Sequence, residues 1–187
     1  MVIVPYEEIS QRAPTTGNLL DIGCGYGILA QFLSLDSEYR QVLGIDINSG
    51  RLKAIKKVLC HSPKNVRFEE ARVESINSEE FDCVVMEEVL HHIPKSEQQK
   101  MLCCVYRILS KNGLFLLREN NKRFSFRHIF VNIPLEYLLY ATDEKANFRT
   151  NEELTKMLKE AGFSCEIVPA PWYSLVDTSL FICHRVV

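Results

Sequence analysis

No stretch of this sequence approaches the roughly 20 consecutive apolar residues that a membrane-spanning helix needs. The segment up to Pro5 is too short, and lacks the basic flank, for a secretory signal. Basic clusters are equally scarce, because no run of Lys and Arg exceeds a pair such as Lys56-Lys57 and the formal net charge is −2. Such a surface provides no general attraction for nucleic acid. We therefore expect a cytoplasmic protein that neither spans a membrane nor binds nucleic acid.

Metal-ligand spacing is also missing, although the chain has seven cysteines. None of them forms a Cys-x-x-Cys pair, and most lie inside apolar runs. Buried free thiols without a bound metal are the expected arrangement. The sequence has no internal repeat, low-complexity segment or linker, and 187 residues with 47% apolar content suit one α/β domain with a full core. The prediction is a single domain over residues 1–187.

The sequence is organised around residues 18–27, where a short apolar run ends at Asp21 and continues into a glycine-rich stretch. Its glycines stand at alternate positions, Gly23, Gly25 and Gly27. Glycine permits a positive φ and has no Cβ, so the backbone can turn sharply and lie against a flat ligand. Apolar residues then recur at helical spacing. The pattern predicts a strand, a glycine turn and a helix, with a nucleotide-like ligand at the carboxyl end of the strand.

A second apolar run ends in Asp46, about 20 residues past the turn, where a carboxylate can bind the hydroxyl pair of a ribose. The loop departs from the dinucleotide fingerprint, which has glycine one position beyond Gly27, where this chain has Ile28. The carboxylate of Asp21 would also repel a pyrophosphate, whereas it suits a cationic or zwitterionic ligand. A nicotinamide-dependent oxidoreductase is therefore the weaker alternative.

These features resemble the class I S-adenosylmethionine (SAM)-dependent methyltransferases. Residues 21–27 look like the first motif of that family, and Asp46 looks like its ribose-binding acid. Residues 81–93 are similar to its fourth strand and the turn that follows. Residues 109–117 match its Leu-Lys-Pro-Gly-Gly fifth-strand signature, with Asn112 replacing one glycine.

The resemblance implies an α/β fold, with a Rossmann-like, doubly wound, seven-stranded and mostly parallel sheet that ends in an antiparallel C-terminal hairpin. It also implies SAM as the cofactor, S-adenosylhomocysteine as the product and a small molecule as the methyl acceptor. Glu70-Ala71 stands where the family usually has Asp-Ala at the adenine. The cofactor-binding residues that we predict on this basis are Asp21, Gly23, Cys24, Gly25, Gly27, Asp46, Ile47, Glu70, Ala71 and Met86.

Two polar side chains after the fourth strand are the catalytic candidates. Glu87 stands where amino-methylating relatives carry the Asn of Asn-Pro-Pro-Tyr, so methylation of a nucleobase or amide nitrogen by that route is not expected. A carboxylate can instead hold an amine or act as a base toward a hydroxyl. His92 can titrate near neutrality and belongs to a histidine pair that the resembling small-molecule enzymes often have. A cofactor contact or a solvated acid for Glu87, and a structural role for His92, stay open.

Helix signals connect the predicted strands. Ser49 is expected to cap a helix over residues 50–61. Thr150 and Glu153 form a capping-box pattern for a later helix that Gly162 ends, before two final strands.

Residues 120–149 form a long connection after the fifth strand and hold six aromatic residues. Long connections inside compact domains usually have a function. We expect this one to cover the acceptor, because the segment before the first motif, residues 6–13, is shorter than the helical cover that such methyltransferases commonly carry. The alternatives are a helical pair that packs on the domain or on a second subunit of a homodimer, and contact with a membrane surface.

The predicted function is transfer of the methyl group of SAM to a small molecule, with oxygen, nitrogen and carbon acceptors open. Positioning of the reactants alone can supply about 7 to 11 kcal/mol, so few catalytic side chains are required. A non-catalytic methyltransferase-like binding subunit is the remaining alternative, favoured by the short N-terminal segment.

Overall fold

A computed structural model describes residues 6–58, 63–76, 80–120, 146–169 and 178–186. Helices and strands alternate along most of this part of the chain. They are α1 (Tyr6–Arg12), β1 (Gly17–Ile22), α2 (Ile28–Asp36), β2 (Arg40–Asp46), α3 (Ser49–Val58), β3 (Val66–Glu70), β4 (Phe81–Glu87), α4 (Lys95–Ile108), β5 (Leu109–Asn120), α5 (Asn151–Glu160), β6 (Phe163–Pro169) and β7 (Thr178–Arg185). Short 3₁₀ turns occupy Val73–Ser75 and Leu90–His92.

The strands form one seven-stranded sheet in the order β3-β2-β1-β4-β5-β7-β6. Strands β1 to β5 run parallel, whereas β7 is antiparallel to both β5 and β6. The winding direction reverses between β1 and β4, and the carboxyl ends of neighbouring strands at such a switch point form a ligand-binding crevice. The predicted doubly wound sheet with its antiparallel C-terminal hairpin is confirmed.

The central strands are buried on both faces, so their sequences are nearly continuous apolar runs. Successive side chains of a strand point to opposite faces. Leu20 and Val84 therefore belong to one core cluster, while Leu19 and Val85 belong to the cluster on the other side of the sheet. Two helix-covered cores hold the sheet in place and leave the loops at its carboxyl edge available for a site.

Arg40 anchors the short helix α1 to the sheet. Its buried guanidinium donates hydrogen bonds to the carbonyl oxygens of Ser10 (2.9 Å) and Pro14 (2.8 Å), and it pairs with Asp36 at 3.1 Å. A buried charge is costly unless it is paired and hydrogen-bonded, as it is here. This anchor gives α1 a defined place, from which Tyr6 reaches the edge of the sheet where the glycine loop lies.

The cap of α3 differs from the one expected. The side chain of Asn48, not that of Ser49, accepts a hydrogen bond from the backbone N–H of Arg51 at 3.1 Å. Asn48 therefore holds the N-cap position and Ser49 begins the helix, so the predicted Ser49 cap is wrong. The predicted end of this helix, at His61, lies outside the described residues.

The capping box of α5 is confirmed. Thr150 Oγ1 accepts from the backbone N–H of Glu153 at 3.2 Å, and the Glu153 carboxylate accepts from the N–H of Thr150 at 2.9 Å. Gly162, with φ 101°, follows the helix as expected.

The cysteines that the structure describes are free thiols. Cys24, Cys83 and Cys183 are buried, but Cys103 lies on the outer face of α4 and is exposed, so the expectation of burial is wrong for that residue.

Most of the predicted cover segment, residues 121–145, lies outside the described residues. None of the helices in the described part of the chain is long and apolar enough to cross a membrane.

Candidate cofactor and active site

A cavity of about 720 Å³ opens at the carboxyl ends of the central parallel strands. Its walls come from the glycine loop after β1, the residues after β2 and β3, the turn after β4, and Tyr6 of α1. This is the crevice at the switch point between β1 and β4. The structure brings most of the predicted site residues together there: Asp21, Gly23, Cys24, Gly25, Asp46, Ile47, Ala71, Glu87 and His92.

The glycine loop presents bare backbone to this cavity. The N–H groups of Gly23 and Cys24 both donate to the carbonyl oxygen of Ile45, at 2.8 and 2.9 Å, which ties the loop to β2. Gly25 has φ 55°, and a Cβ added there would meet no other atom closer than 4.0 Å. The loop is therefore rigidly held but leaves open space beside Gly25, as a ligand lying flat on the backbone requires.

Asp46 joins the glycine loop to the segment after β2. One carboxylate oxygen accepts from the N–H of Gly25 at 2.9 Å, and the other accepts from the N–H of Asn48 at 2.7 Å. The guanidinium of Arg51 lies 3.8 Å from the Asp46 carboxylate, and the side chain of Asp46 is only 5% exposed. A carboxylate offers about four lone-pair sites, so two N–H donors leave it able to accept from the hydroxyl groups of a ligand.

Asp21 is an acid without a full set of partners. The residue is 2% exposed, and its Oδ2 atom has no hydrogen-bond partner among the described residues. Burial raises the pKa of Asp21 to about 8, and the negative charge of Glu87 adds to this effect. A cationic group in the cavity would supply the missing partner and restore the charge. The arrangement fits the zwitterionic amino-acid end of a ligand such as SAM.

Three predicted cofactor contacts do not line the cavity. Gly27 precedes α2 with φ 73°, and a Cβ there would lie 2.6 Å from the ring of Phe68, so packing against β3 requires this glycine. The side chain of Glu70 is exposed at the end of β3. Met86 is fully buried in the core. Successive side chains of β4 point to opposite faces of the sheet, so Met86 points away from the face on which Glu87 lies.

Cys24 lies in the cavity wall as a small side chain. Burial raises the pKa of its thiol well above the ordinary value, and the charges of Asp21 and Asp46 act in the same direction. Because the thiolate is the reactive form, this residue is not an activated nucleophile. In the described part of the chain, no group of three or more His, Cys, Asp or Glu side chains is placed to hold a metal ion.

Glu87 faces the cavity from the end of β4 and belongs to a charged bridge. Arg118 of β5 pairs with Glu87 at 3.3 Å and with Glu8 of α1 at 2.7 Å. Burial raises the pKa of Glu87 to about 7, although the positive charge of Arg118 opposes the change. The carboxyl group therefore exchanges protons near neutral pH and links the cavity wall to α1.

The two histidines after β4 have different surroundings. His92 lines the cavity, whereas His91 is buried behind it, with its Nδ1 atom 2.7 Å from Glu119 of β5. Their rings lie 4.2 Å apart between centroids, and the ring of Phe148 stacks on His91 at a centroid distance of 4.9 Å. His92 is thus the member of the pair that can contact a ligand.

Sequence reasoning missed the polar end of β5. Glu119 accepts hydrogen bonds from the turn after β4, and Asn120 donates to the carboxylate of Glu88, whose backbone has φ 55°. With Arg118, these consecutive residues hold the turn after β4, which forms one wall of the cavity. The signal that identified Glu87, a polar residue directly after an apolar parallel strand, was also present at residues 118–120.

The sequence profile of the methyltransferase domain family matches residues 4–167. The chain therefore belongs to the methyltransferase domain family. The ubiquinone biosynthesis O-methyltransferase of Nitrosospira multiformis is 31% identical over 168 residues, which span 86% of this chain and 68% of that enzyme. The enzyme of the same name from Thiobacillus denitrificans is 30% identical over 173 residues, which span 89% and 73% of the two chains.

Solved structures show the same fold. A SAM-dependent methyltransferase from Methanosarcina mazei has a TM-score of 0.73 at 19% identity, with each chain covered completely. The 1,6-didemethyltoxoflavin-N1-methyltransferase of Burkholderia thailandensis, solved with 1,6-didemethyltoxoflavin and S-adenosylhomocysteine, has a TM-score of 0.72 at 17% identity, covering 98% of this chain and 78% of that one. The predicted function, a SAM-dependent methyltransferase acting on a small molecule, is confirmed, and the nicotinamide alternative finds no support.

Proposed function

We propose that the protein methylates a hydroxyl group of a small aromatic or apolar acceptor. The observation that carries this proposal is that one cavity joins the glycine loop and Asp46 to two side chains with proton-transfer chemistry, Glu87 and His92. Relatives named as O-methyltransferases, similar over more than four-fifths of the chain, support oxygen as the acceptor atom.

The cofactor roles follow from the cavity walls. Asp46 would accept hydrogen bonds from the ribose hydroxyls, and Asp21 would pair with the ammonium group. Ile47 and Ala71, which line the same cavity as Asp46, would flank the adenine. Bound SAM supplies a sulfonium that already activates the methyl group, so the side chains have only to place and deprotonate the acceptor.

The acceptor roles fall to the turn after β4. A neutral His92 imidazole can take the proton of a hydroxyl, which turns a weak nucleophile into a strong one. Glu87, with a pKa of about 7, can donate or accept a hydrogen bond to orient the acceptor. Tyr6 and Tyr26 add aromatic surface to the cavity wall. Closure of the site by residues 120–149 stays a prediction, as do the homodimer and the cytoplasmic location.

The proposal is tested by product analysis. The protein is incubated with SAM and matched probe acceptors, a 4-alkylcatechol, a 4-alkylphenol and a 4-alkylaniline, and methylated products are identified by mass spectrometry. Methyl ethers are expected, and His92→Gln should reduce their rate while S-adenosylhomocysteine still binds. Formation of N-methyl products alone would contradict oxygen as the acceptor atom. Tight S-adenosylhomocysteine binding without turnover of any probe would favour a non-catalytic binding subunit.

A further inference from the structure

We propose that Glu119 is a positioning residue, which holds the turn after β4 and orients His92 through the ring of His91. The inference rests on the proposed function in one respect, the action of His92 on the acceptor. Glu119 and His91 lie behind the cavity wall, and His92 lies in it.

Glu119 caps the turn from a neighbouring strand. Its Oε1 atom accepts from the backbone N–H of Val89 at 3.0 Å and from that of Leu90 at 2.6 Å. These amides begin the 3₁₀ turn Leu90–His92, whose N-cap residue, Val89, makes no side-chain capping hydrogen bond. The capping acceptor therefore comes from β5, and the place of the turn depends on it.

The second oxygen of Glu119 fixes the ring of His91. The distance from Oε2 to Nδ1 is 2.7 Å, and both residues are 2% exposed. A carboxylate oxygen accepts hydrogen bonds, and in this contact the donor is Nδ1 of His91, so the proton of the neutral ring is placed on Nδ1. Glu119 thereby sets both the orientation and the protonated nitrogen of this ring.

His91 passes this constraint to His92. The His91 ring stacks on Phe148 with an interplanar angle of 24°, and the backbone carbonyl of His91 accepts from the N–H of Asn147 at 2.7 Å. The centroid of the same ring lies 4.2 Å from that of His92. A rotation of His91 would displace the ring that faces the cavity. Residues that orient histidine ligands of metal sites by the same carboxylate–histidine contact typically alter activity by about 10- to 100-fold when they are changed, and we expect an effect of similar size here.

Glu119→Gln separates the two contacts of the carboxylate. The amide oxygen of the glutamine can still accept from Val89 and Leu90, so the cap is retained. Its amide nitrogen is a donor and cannot accept the proton of His91 Nδ1. Glu166→Gln is the matched control, because it makes the same substitution at an exposed position on β6.

Steady-state kinetics give the first test, with the probe acceptor that the wild-type protein methylates as the substrate. For Glu119→Gln we expect kcat to fall about tenfold or more, while the dissociation constant of S-adenosylhomocysteine stays within about threefold of wild type. Glu166→Gln should match wild type in both. A folded Glu119→Gln protein with wild-type kcat would overturn the proposal, because a capping role alone predicts that result.

Nitrogen-15 NMR of the histidine rings gives a second test that needs no turnover. In the S-adenosylhomocysteine complex of the wild type, we expect a low-field proton signal from His91 Nδ1. In the same complex of Glu119→Gln, we expect this signal to disappear and the signals of the His92 ring to shift. Unchanged His92 signals would overturn the positioning role. If no probe is methylated by the wild type, the proposed hydroxyl chemistry fails, while this comparison still decides whether Glu119 orients His92.

Discussion

The buried carboxyl group of Asp21 should make cofactor binding depend on pH. Its pKa is raised to about 8, so in the free protein only about 1% of the group is ionised at pH 6 and about 9% at pH 7. The ammonium group of S-adenosylhomocysteine pairs with the ionised form. The affinity of the protein for S-adenosylhomocysteine should therefore increase about tenfold between pH 6 and pH 7. Asp21 should release about one proton for each ligand that binds.

Isothermal titration calorimetry in buffers of different ionisation enthalpy measures both the affinity and the proton release. Asp21→Asn should bind more weakly at pH 7 and lose most of the pH dependence. Glu87→Gln should bind more tightly at pH 7, because the charge of Glu87 is one cause of the raised pKa of Asp21. A wild-type affinity that is flat from pH 6 to pH 7, or a slope that persists in Asp21→Asn, would refute the assignment.

The same raised pKa has a consequence for the unliganded protein. The folded state holds a proton on Asp21 between about pH 4 and pH 8 that the unfolded state releases, so this group lowers the free energy of unfolding as pH rises through that range. A rise from 3.8 to about 8 corresponds to at most about 6 kcal/mol. Asp21→Asn should accordingly raise the melting temperature at pH 8 more than at pH 5, while it weakens ligand binding.

Gly25→Ala and Gly27→Ala place a Cβ on left-handed backbone in both cases, but only the second drives it into the ring of Phe68. Gly27→Ala should therefore be the less stable variant by about 1 to 3 kcal/mol in denaturant unfolding. Gly25→Ala should instead lose more affinity for S-adenosylhomocysteine. Equal stabilities and equal affinities of the two variants would contradict this prediction. Asp46→Ala should weaken S-adenosylhomocysteine binding by about 1 to 3 kcal/mol, and unchanged calorimetric affinity in a folded protein would rule out its ribose role. Glu87→Gln should reduce kcat without weakening S-adenosylhomocysteine binding, and a loss of affinity equal to the loss of kcat would reassign the residue to the cofactor.

The cofactor half of the site could be predicted from local sequence. Glycines at alternate positions after an apolar run, and Asp46 at the end of the next run, are properties of short segments whose backbone geometry depends on neighbouring residues. Because the carboxyl ends of parallel strands meet at one edge, the prediction of parallel strands was enough to bring these residues together. Local patterns do not report packing, since Gly27 and Met86 were predicted from such patterns but pack against neighbouring elements and do not line the cavity.

The wall of the cavity that we propose for the acceptor depends on contacts between distant segments. Glu119 and His91 are 28 residues apart, and Arg118 and Glu8 are 110 residues apart, so no local pattern reports that they meet. Their pairing requires the register of β4 against β5 and the docking of α1. Burial then determines the protonation of Asp21 and Glu87, because desolvation is the largest cause of both raised pKa values. The sequence alone thus determined which residues form the cavity that we propose for the cofactor. The tertiary structure decided which acids around that cavity carry charge, since charge depends on the dielectric surroundings that only packing creates.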